Sequence, residues 1–381
     1  MTRRLTLVLA ISMLALVGCS GKSGCSGSCG STSTTAPAPT TVPPLDVNPA
    51  YAKRGPNVVA ITTLAVGTRR IEVFYPGRAG SERNQPRANY DIREALHNPA
   101  AAPLKASSDQ LVALPAFRDL PPAAGRFPVV LFSHAYGSFP LANATLESDI
   151  AAWGFVVIAP DHLERDTYAV EKVAASVDDA RDARVLLSVL PVVAADPALG
   201  SKLDLTHVAA VGSDQGGATA LAALASPKVA TAVAWASVAP KQAVAKKPVA
   251  LIGAQRDFGY GTKVQQAIYA GLTGPRSLLL LGGGAGHATF EDNCAMLRDS
   301  STLPAGGDIA TGLNAGNRML ALAQNGCYPN EVDPRLVWAV VSHVTVAHLR
   351  SVFGIDPAPV GLGDNIASAF PKVPFTYERQ P

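Results

Sequence analysis

The amino-acid sequence predicts an α/β fold, in which a mostly parallel sheet carries helices on both faces. Three observations predict it. Short, wholly apolar runs recur along the chain, segments with helical spacing alternate with them, and glycine-rich turns follow several of the runs. Runs of this kind are typical of parallel strands, because a strand inside a parallel sheet is buried on both faces.

The strand-like runs begin after residue 57 and continue through most of the chain. We predict strands at Val58–Ile61, Ile71–Tyr75, Pro128–Phe132, Phe155–Ala159, Val208–Val211, Val229–Trp235, Val249–Ile252 and Leu278–Leu281. Helical spacing predicts helices at Ser176–Leu190, Gly216–Leu224 and Pro334–Phe353. Strands that alternate with helices in this way indicate one α/β domain, which we place at residues 51–381.

Composition and charge narrow the class of protein. The chain has 381 residues, of which 48% are hydrophobic and 16% are charged, as in globular proteins. The formal net charge is only +3, and no basic stripe marks a nucleic-acid surface. This charge balance argues for no particular partner, and we expect no nucleic-acid partner. The small-molecule or lipid-like substrate that we expect follows from the candidate site and not from the charge.

The first residues have the features of an export signal. Arg3 and Arg4 precede the apolar run Leu5–Val17, which is too short to span a bilayer comfortably. The run ends before Cys19 in a sequence similar to the lipobox of bacterial lipoproteins. We predict that residues 1–19 are a lipoprotein signal, that Cys19 is lipidated, and that the protein is an extracytoplasmic lipoprotein anchored to the membrane of the cell envelope. An ordinary signal peptide or an uncleaved anchor is the alternative.

The remaining cysteines lie in two different settings. Cys25 and Cys29 belong to residues 20–50, which we predict to be a flexible Gly/Ser/Thr/Pro tether, and their state stays open. Cys294 and Cys327 lie in the folded part. Outside the cytosol a disulfide between them is the expected state, with a free pair as the alternative.

A glycine-rich turn between a predicted strand and a predicted helix carries the first candidate for chemistry. It reads Gly212-Ser213-Asp214-Gln215-Gly216-Gly217. Small residues flanking a central side chain on such a turn are typical of a nucleophile elbow, which exposes that side chain in a cleft. Asp214 then occupies the nucleophile position, and the backbone N–H of Gln215 is an oxyanion donor. A glycine-rich turn with a helix-capping aspartate is the alternative.

Two further candidates follow later strands. His287 lies on a glycine-rich loop after Leu278–Leu281, where a catalytic base is expected, and Asp257 follows Val249–Ile252, where the acid that orients the base is expected. Each residue alone also fits a structural role. Together, the chain order of nucleophile, acid and histidine is that of α/β-hydrolases.

The segment after Pro128–Phe132 supplies a candidate oxyanion site. It reads Ser133-His134-Ala135-Tyr136-Gly137-Ser138, and we expect backbone N–H groups near Ala135 and Tyr136 to provide the second donor. His134 is expected to be structural. Asp161 and His162, after the next strand, are expected to have a role in a turn.

From about residue 57 onward the chain resembles bacterial α/β-hydrolases of the platelet-activating-factor acetylhydrolase and dienelactone-hydrolase-like group. The residues that carry the resemblance are Phe127–Ser138, Trp153–His162, Val211–Gly217, Ile252–Asp257, Gly286–His287 and Phe290. The resemblance implies an α/β-hydrolase fold and ester hydrolysis with no metal and no organic cofactor. It also implies serine at position 214, where this chain has aspartate.

The aspartate changes the chemistry that is expected. Attack of a carboxylate on an ester carbonyl would have to give a mixed anhydride. In the tetrahedral adduct the alkoxide is a poorer leaving group than the carboxylate, so the adduct collapses back to the ester. Attack at a saturated carbon instead gives a stable ester, as in dehalogenases and epoxide hydrolases of this fold. Those enzymes carry a helical cap, for which there is no room between Trp235 and Val249. Ser213 points away on a sharp elbow and is not expected to replace Asp214.

Three functions are therefore open. The first is a hydrolase that acts on an ester or other carbon electrophile through Asp214, His287 and Asp257. The second is an esterase in which His287 activates water directly or another serine serves. The third is a binding protein that has kept a hydrolase scaffold and lost catalysis.

Overall fold

The computed structural model describes residues 46–91, 111–172, 174–300 and 317–381. The predicted signal, Cys19, Cys25, Cys29 and most of the predicted tether lie outside the described residues. No helix in the described ranges combines the length and apolar character needed to cross a membrane.

The strands and helices alternate along the chain. The strands are β1 (Val58–Val66), β2 (Arg69–Gly77), β3 (Asn89–Asp91), β4 (Leu111–Ala113), β5 (Phe117–Arg118), β6 (Phe127–Ser133), β7 (Val156–Pro160), β8 (Leu203–Ser213), β9 (Val229–Trp235), β10 (Val249–Ala254), β11 (Arg276–Leu281) and β12 (Phe375–Gln380). The helices are α1 (Ala144–Ala152), α2 (Thr167–Glu171), α3 (Asp179–Ser188), α4 (Leu190–Ala194), α5 (Gln215–Ala223), α6 (Thr262–Gly271), α7 (Asp292–Ser300), α8 (Asn317–Gln324) and α9 (Pro334–Val352). Short 3₁₀ turns lie at Gly200–Lys202, His287–Phe290 and Ile366–Ala369.

A ten-stranded sheet has the order β12-β11-β10-β9-β8-β6-β7-β2-β1-β5. The centre, from β7 through β6 and β8 to β11, is parallel. Antiparallel pairs lie on its two sides, where β2 joins β7 and β12 joins β11. The prediction of a mostly parallel sheet is confirmed.

The core consists of two apolar layers, one on each face of the sheet. Alternate residues of β8 enter different layers: Ala209 and Val211 pack with α1 and α9, whereas Val208 and Ala210 pack with α3, α5 and α6. Burial on both faces explains why the central strands are predominantly apolar.

The structure differs from the sequence prediction at some elements. Helix α3 begins after Asp178, whose side chain accepts a hydrogen bond from the N–H of Arg181, and the predicted helix is divided into α3 and α4. Strand β12 was missed because Phe375–Gln380 alternates buried and exposed residues, so it contains no wholly apolar run. Helices α1 and α6 were also missed.

Two further expectations concern the loops. Residues 236–248, which join β9 to β10, contain no helix, so there is no cap at this place. A disulfide joins Cys294, in α7, to Cys327, just after α8, as predicted. The disulfide ties the segment after α8 to the 3₁₀ turn that begins at His287, because Ala288 packs with both cysteines.

Candidate active site

Asp214 lies on a sharp turn between β8 and α5. Its backbone has φ 53° and ψ −118°, a left-handed conformation that L-residues adopt only under strain. A Cβ at Gly212 would lie 2.1 Å from the Gly216 carbonyl oxygen, and one at Gly216 would lie 1.9 Å from the Ser133 carbonyl oxygen. The turn therefore requires glycine at both positions, which is the geometry of a nucleophile elbow.

The two carboxylate oxygens of Asp214 have different surroundings. Oδ2 accepts a hydrogen bond of 2.9 Å from the backbone N–H of Tyr136, which is one of the predicted oxyanion donors. Oδ1 is buried and has no hydrogen-bond partner within the described part of the chain. The side chain thus places one of its own oxygens at an oxyanion donor and leaves the other without a hydrogen-bond donor from the described residues.

Gln215 and Ala135, the other two predicted oxyanion residues, are the sequence neighbours of Asp214 and Tyr136. Gln215 is the first residue of α5, and its side-chain Nε2 donates to Asp179 Oδ1 at 2.7 Å. This bond holds the elbow against α3. Ala135 is buried in the loop that carries Tyr136.

His287 and Asp257 form a hydrogen-bonded pair. His287 Nδ1 lies 3.0 Å from Asp257 Oδ2, and the other oxygen of Asp257 accepts the N–H groups of Gly259 at 2.8 Å and Tyr260 at 2.9 Å. The backbone bonds fix the carboxylate, and the carboxylate fixes the imidazole. Because Nδ1 faces Asp257, Nε2 is the nitrogen left to act on a substrate or on water.

The charge of Asp214 acts on His287. Burial by itself lowers the pKa of His287, but the hydrogen bond to Asp257 and the negative charges of Asp214, Asp257 and Glu291 outweigh burial and raise the pKa to about 9. Asp214 and His287 are not hydrogen-bonded to each other. The structure thus brings the three predicted triad residues into electrostatic contact, with a protonated imidazole at neutral pH.

Arg165 is a residue of the site that the sequence analysis missed. It is fully buried, and its Nη1 donates to the carbonyl oxygens of His134 at 2.7 Å and Ala135 at 3.0 Å. Its Nε donates to Asp182 at 3.0 Å. The Ala135 carbonyl and the Tyr136 N–H belong to one peptide group, so Arg165 orients and polarises the donor that binds Asp214.

The other polar residues near the elbow are buried beneath it. His134 Nδ1–H donates to the Ala135 carbonyl at 2.9 Å, and His162 Nε2 lies 2.9 Å from Ser133 Oγ. Burial holds the pKa of His162 well below its usual range, so this imidazole is neutral. His134, Asp161 and His162 are fully buried and do not reach the solvent side of the site.

Stability is expected to depend on pH through His287. The pKa of His287 is about 9 in the folded protein and 6.5 in the reference state. The contribution of His287 to the free energy of unfolding is therefore complete below pH 6.5 and is lost as the pH rises through 9. The free energy of unfolding should fall by about 3 kcal/mol over this range. Urea unfolding across this range checks it, with His287→Gln as the control that should show a smaller decline. Equal declines in both proteins would contradict it.

Backbone strain at Asp214 gives a second stability prediction. Asp214→Gly and Asp214→Ala both remove the carboxylate, but only alanine keeps a Cβ at the positive φ. Asp214→Gly should therefore be the more stable variant by about 1–2 kcal/mol, the reverse of the usual order. Thermal and urea unfolding of the pair measure the difference. An alanine variant that equals or exceeds the glycine variant would show that the turn is unstrained.

Comparisons with known proteins agree with the fold. A family model described as chlorophyllase matches residues 95–257. A ferulic acid esterase from Streptomyces cinnamoneus is similar in structure, with a TM-score of 0.63 and 21% sequence identity, over 85% of this chain and 97% of that chain. No curated protein sequence matches the chain. The structural similarity shows the α/β-hydrolase fold, and the match to the family model supports a hydrolase.

Within the described residues, no group of histidine, cysteine, aspartate and glutamate side chains is arranged to hold a metal ion. The residues that the site brings together are thus an aspartate at the elbow, an acid–histidine pair and backbone donors.

Proposed function

We propose that this protein is a hydrolase in which Asp214 attacks the saturated carbon of an ester or of another carbon electrophile. The observation that carries the proposal is the division between the oxygens of Asp214: Oδ2 accepts the N–H of Tyr136, and Oδ1 is free among the described residues. A carboxylate nucleophile needs one oxygen free for attack, and hydrolysis of the resulting ester needs the other held by donors.

In the first step Oδ1 forms a bond to the substrate carbon, and the bond from that carbon to the leaving group breaks. The leaving group departs with the electron pair as a carboxylate or another stable anion. The protonated imidazole of His287 stabilises the developing negative charge. The product of this step is a neutral ester on Asp214.

In the second step His287 acts as the base. Formation of the ester removes the charge of Asp214, which is one of the interactions that raise the pKa of His287, so the imidazole releases its proton more readily. His287 Nε2 then takes a proton from water, and hydroxide adds to the Asp214 carbonyl carbon. The N–H of Tyr136 holds the oxyanion, the alkoxide leaves, and the proton from His287 converts it to the alcohol.

The same geometry disfavours the usual acyl-enzyme route. The substrate carbonyl would need the N–H of Tyr136, which Asp214 Oδ2 already occupies. Direct activation of water by His287 is disfavoured while Asp214 is charged, because the imidazole is then protonated. A purely binding role gives no chemical reason for the bond between His287 Nδ1 and Asp257.

We also propose that the protein is a lipoprotein of the bacterial cell envelope, anchored through Cys19 and acting on a small-molecule or lipid-like substrate. The disulfide between Cys294 and Cys327 supports a compartment outside the cytosol. Metabolic labelling with a fatty-acid analogue tests the anchor, and label retained in Cys19→Ser would refute it.

The position of bond cleavage tests the proposed chemistry. With an alkyl ester in heavy-oxygen water, repeated turnover through Asp214 places the heavy oxygen in the alcohol, because the carbon–oxygen bond on the alkyl side breaks. Cleavage on the acyl side places it in the acid. Styrene oxide and n-butyl bromide extend the test to other carbon electrophiles, and Asp214→Asn is the matched control. Label found only in the acid would refute the proposal.

A further inference from the structure

One amide side chain joins the two loops that carry the candidate acid and base. Asn325 Oδ1 accepts the backbone N–H of His287 at 2.8 Å and the backbone N–H of Phe258 at 3.1 Å. Phe258 is the neighbour of Asp257. A single oxygen therefore fixes the distance between the loop that follows β10 and the loop that follows β11.

The backbone around Asn325 strengthens the same connection. The carbonyl oxygen of Asn325 accepts the N–H of Ala288 at 2.9 Å. A Cβ at Gly286 would lie 2.6 Å from the side-chain carbon of Asn325, so the two segments are in close contact. Asn325 is only 1% exposed, so its acceptor oxygen is shielded from water.

The disulfide lies beside this contact. Cys327 follows Asn325 by two residues and is bonded to Cys294 of α7. Both cysteines are buried and pack with Ala288, the residue after His287. The covalent link thus holds the segment that carries Asn325 against the loop that carries His287.

We propose that Asn325 is a positioning residue for the Asp257–His287 pair, and that the disulfide Cys294–Cys327 holds Asn325 in place. Its importance for catalysis rests on the proposed function, but the positioning itself does not. Without Asn325 Oδ1, the backbone N–H groups of His287 and Phe258 lose their shared acceptor, and the two loops are no longer held at a fixed distance. The bond between His287 Nδ1 and Asp257 Oδ2 then lengthens.

Among the residues that the structure describes, the charged groups that face His287 come from three places: Asp214 on the elbow, Asp257 after β10 and Glu291 after the 3₁₀ turn. Of these three groups, only Asp257 is hydrogen-bonded directly to the imidazole. Loss of Asn325 should weaken that bond most. The titration of His287 thus reports on the position of the loops, and it needs no substrate.

The experiment is an NMR titration of the histidine side chains in the full-length protein. In Asn325→Ala the pKa of His287 should fall from about 9 by about one unit or more. Asn325→Asp is the matched control, because its carboxylate oxygen still accepts both N–H groups, and its His287 pKa should not fall. His348, whose pKa burial lowers to about 4, serves as an internal control for the fold.

The double variant Cys294→Ala/Cys327→Ala tests the disulfide, and its His287 pKa should fall in the same direction. It also keeps the proposal testable if Asn325→Ala does not fold. An unchanged His287 titration in either variant, with His348 also unchanged, overturns the proposal. Failure of the proposed chemistry would be seen separately. Heavy oxygen would appear in the acid product, or turnover would be absent, while the His287 titration stayed normal.

Discussion

Replacement of His287 by glutamine is expected to stop the reaction at the ester on Asp214. The first step keeps its nucleophile, Asp214 Oδ1, and loses only the positive charge that stabilises the leaving group, so one equivalent of leaving group should still be released in a burst. The second step loses its base, and steady-state turnover should fall by roughly 10²–10⁴-fold. Intact-protein mass spectrometry should show the alkyl group on the protein, and peptide analysis should locate it on Asp214.

The control for this experiment is Asp214→Asn in the His287→Gln background, which should show neither burst nor added mass. Glutamine keeps nearly the size of the imidazole, so the fold around the 3₁₀ turn should persist. A His287→Gln protein that loses the burst together with turnover would contradict the two-step account.

Asp214→Ser is expected to create acyl-ester hydrolysis. The serine hydroxyl is shorter than the carboxylate, which frees the N–H of Tyr136 for a substrate carbonyl. Removal of the charge at position 214 also lowers the pKa of His287 from about 9, so a neutral base becomes available. Since one oxyanion donor is worth roughly 10²–10³-fold in rate, turnover of para-nitrophenyl acetate should rise by at least about 10²-fold over wild type.

Asp214→Ala is the matched control for the serine variant. Alanine frees the same Tyr136 N–H and removes the same negative charge, but it supplies no nucleophile. Its turnover of para-nitrophenyl acetate should therefore not rise above that of the wild type. Equal gains in the serine and alanine variants would indicate water activated directly by His287. No gain in the serine variant would mean that the oxyanion donors are not aligned for an acyl substrate.

The sequence predicted the sheet well because the physical signal is local. The stretch Val208–Ser213 of β8 and the whole of β10 are buried on both faces, so every residue in them is apolar or small and the run is visible without any structure. Strand β12 lies at the edge of the sheet, and its exposed positions carry Thr376, Glu378 and Gln380. Such an edge strand resembles a polar loop in the sequence.

The candidate site was predictable where its residues follow strand ends. Asp214, Asp257 and His287 each come directly after a strand or on its loop, and glycines mark the turns. Arg165 and Asn325 could not be found in this way. Arg165 binds a carbonyl 31 residues away and Asn325 an N–H 38 residues away, and no local pattern distinguishes a buried arginine or asparagine from an exposed one.

Formation of a covalent ester between Asp214 and the substrate carbon leaves an isotopic record in the enzyme. The experiment is a single turnover in heavy-oxygen water, with the enzyme in excess over an alkyl ester. The peptide that contains Asp214 is then analysed by mass spectrometry. Attack by Asp214 should place one heavy oxygen in its own carboxylate and leave the alcohol of this first turnover unlabelled. Product that forms while Asp214 remains unlabelled would contradict it.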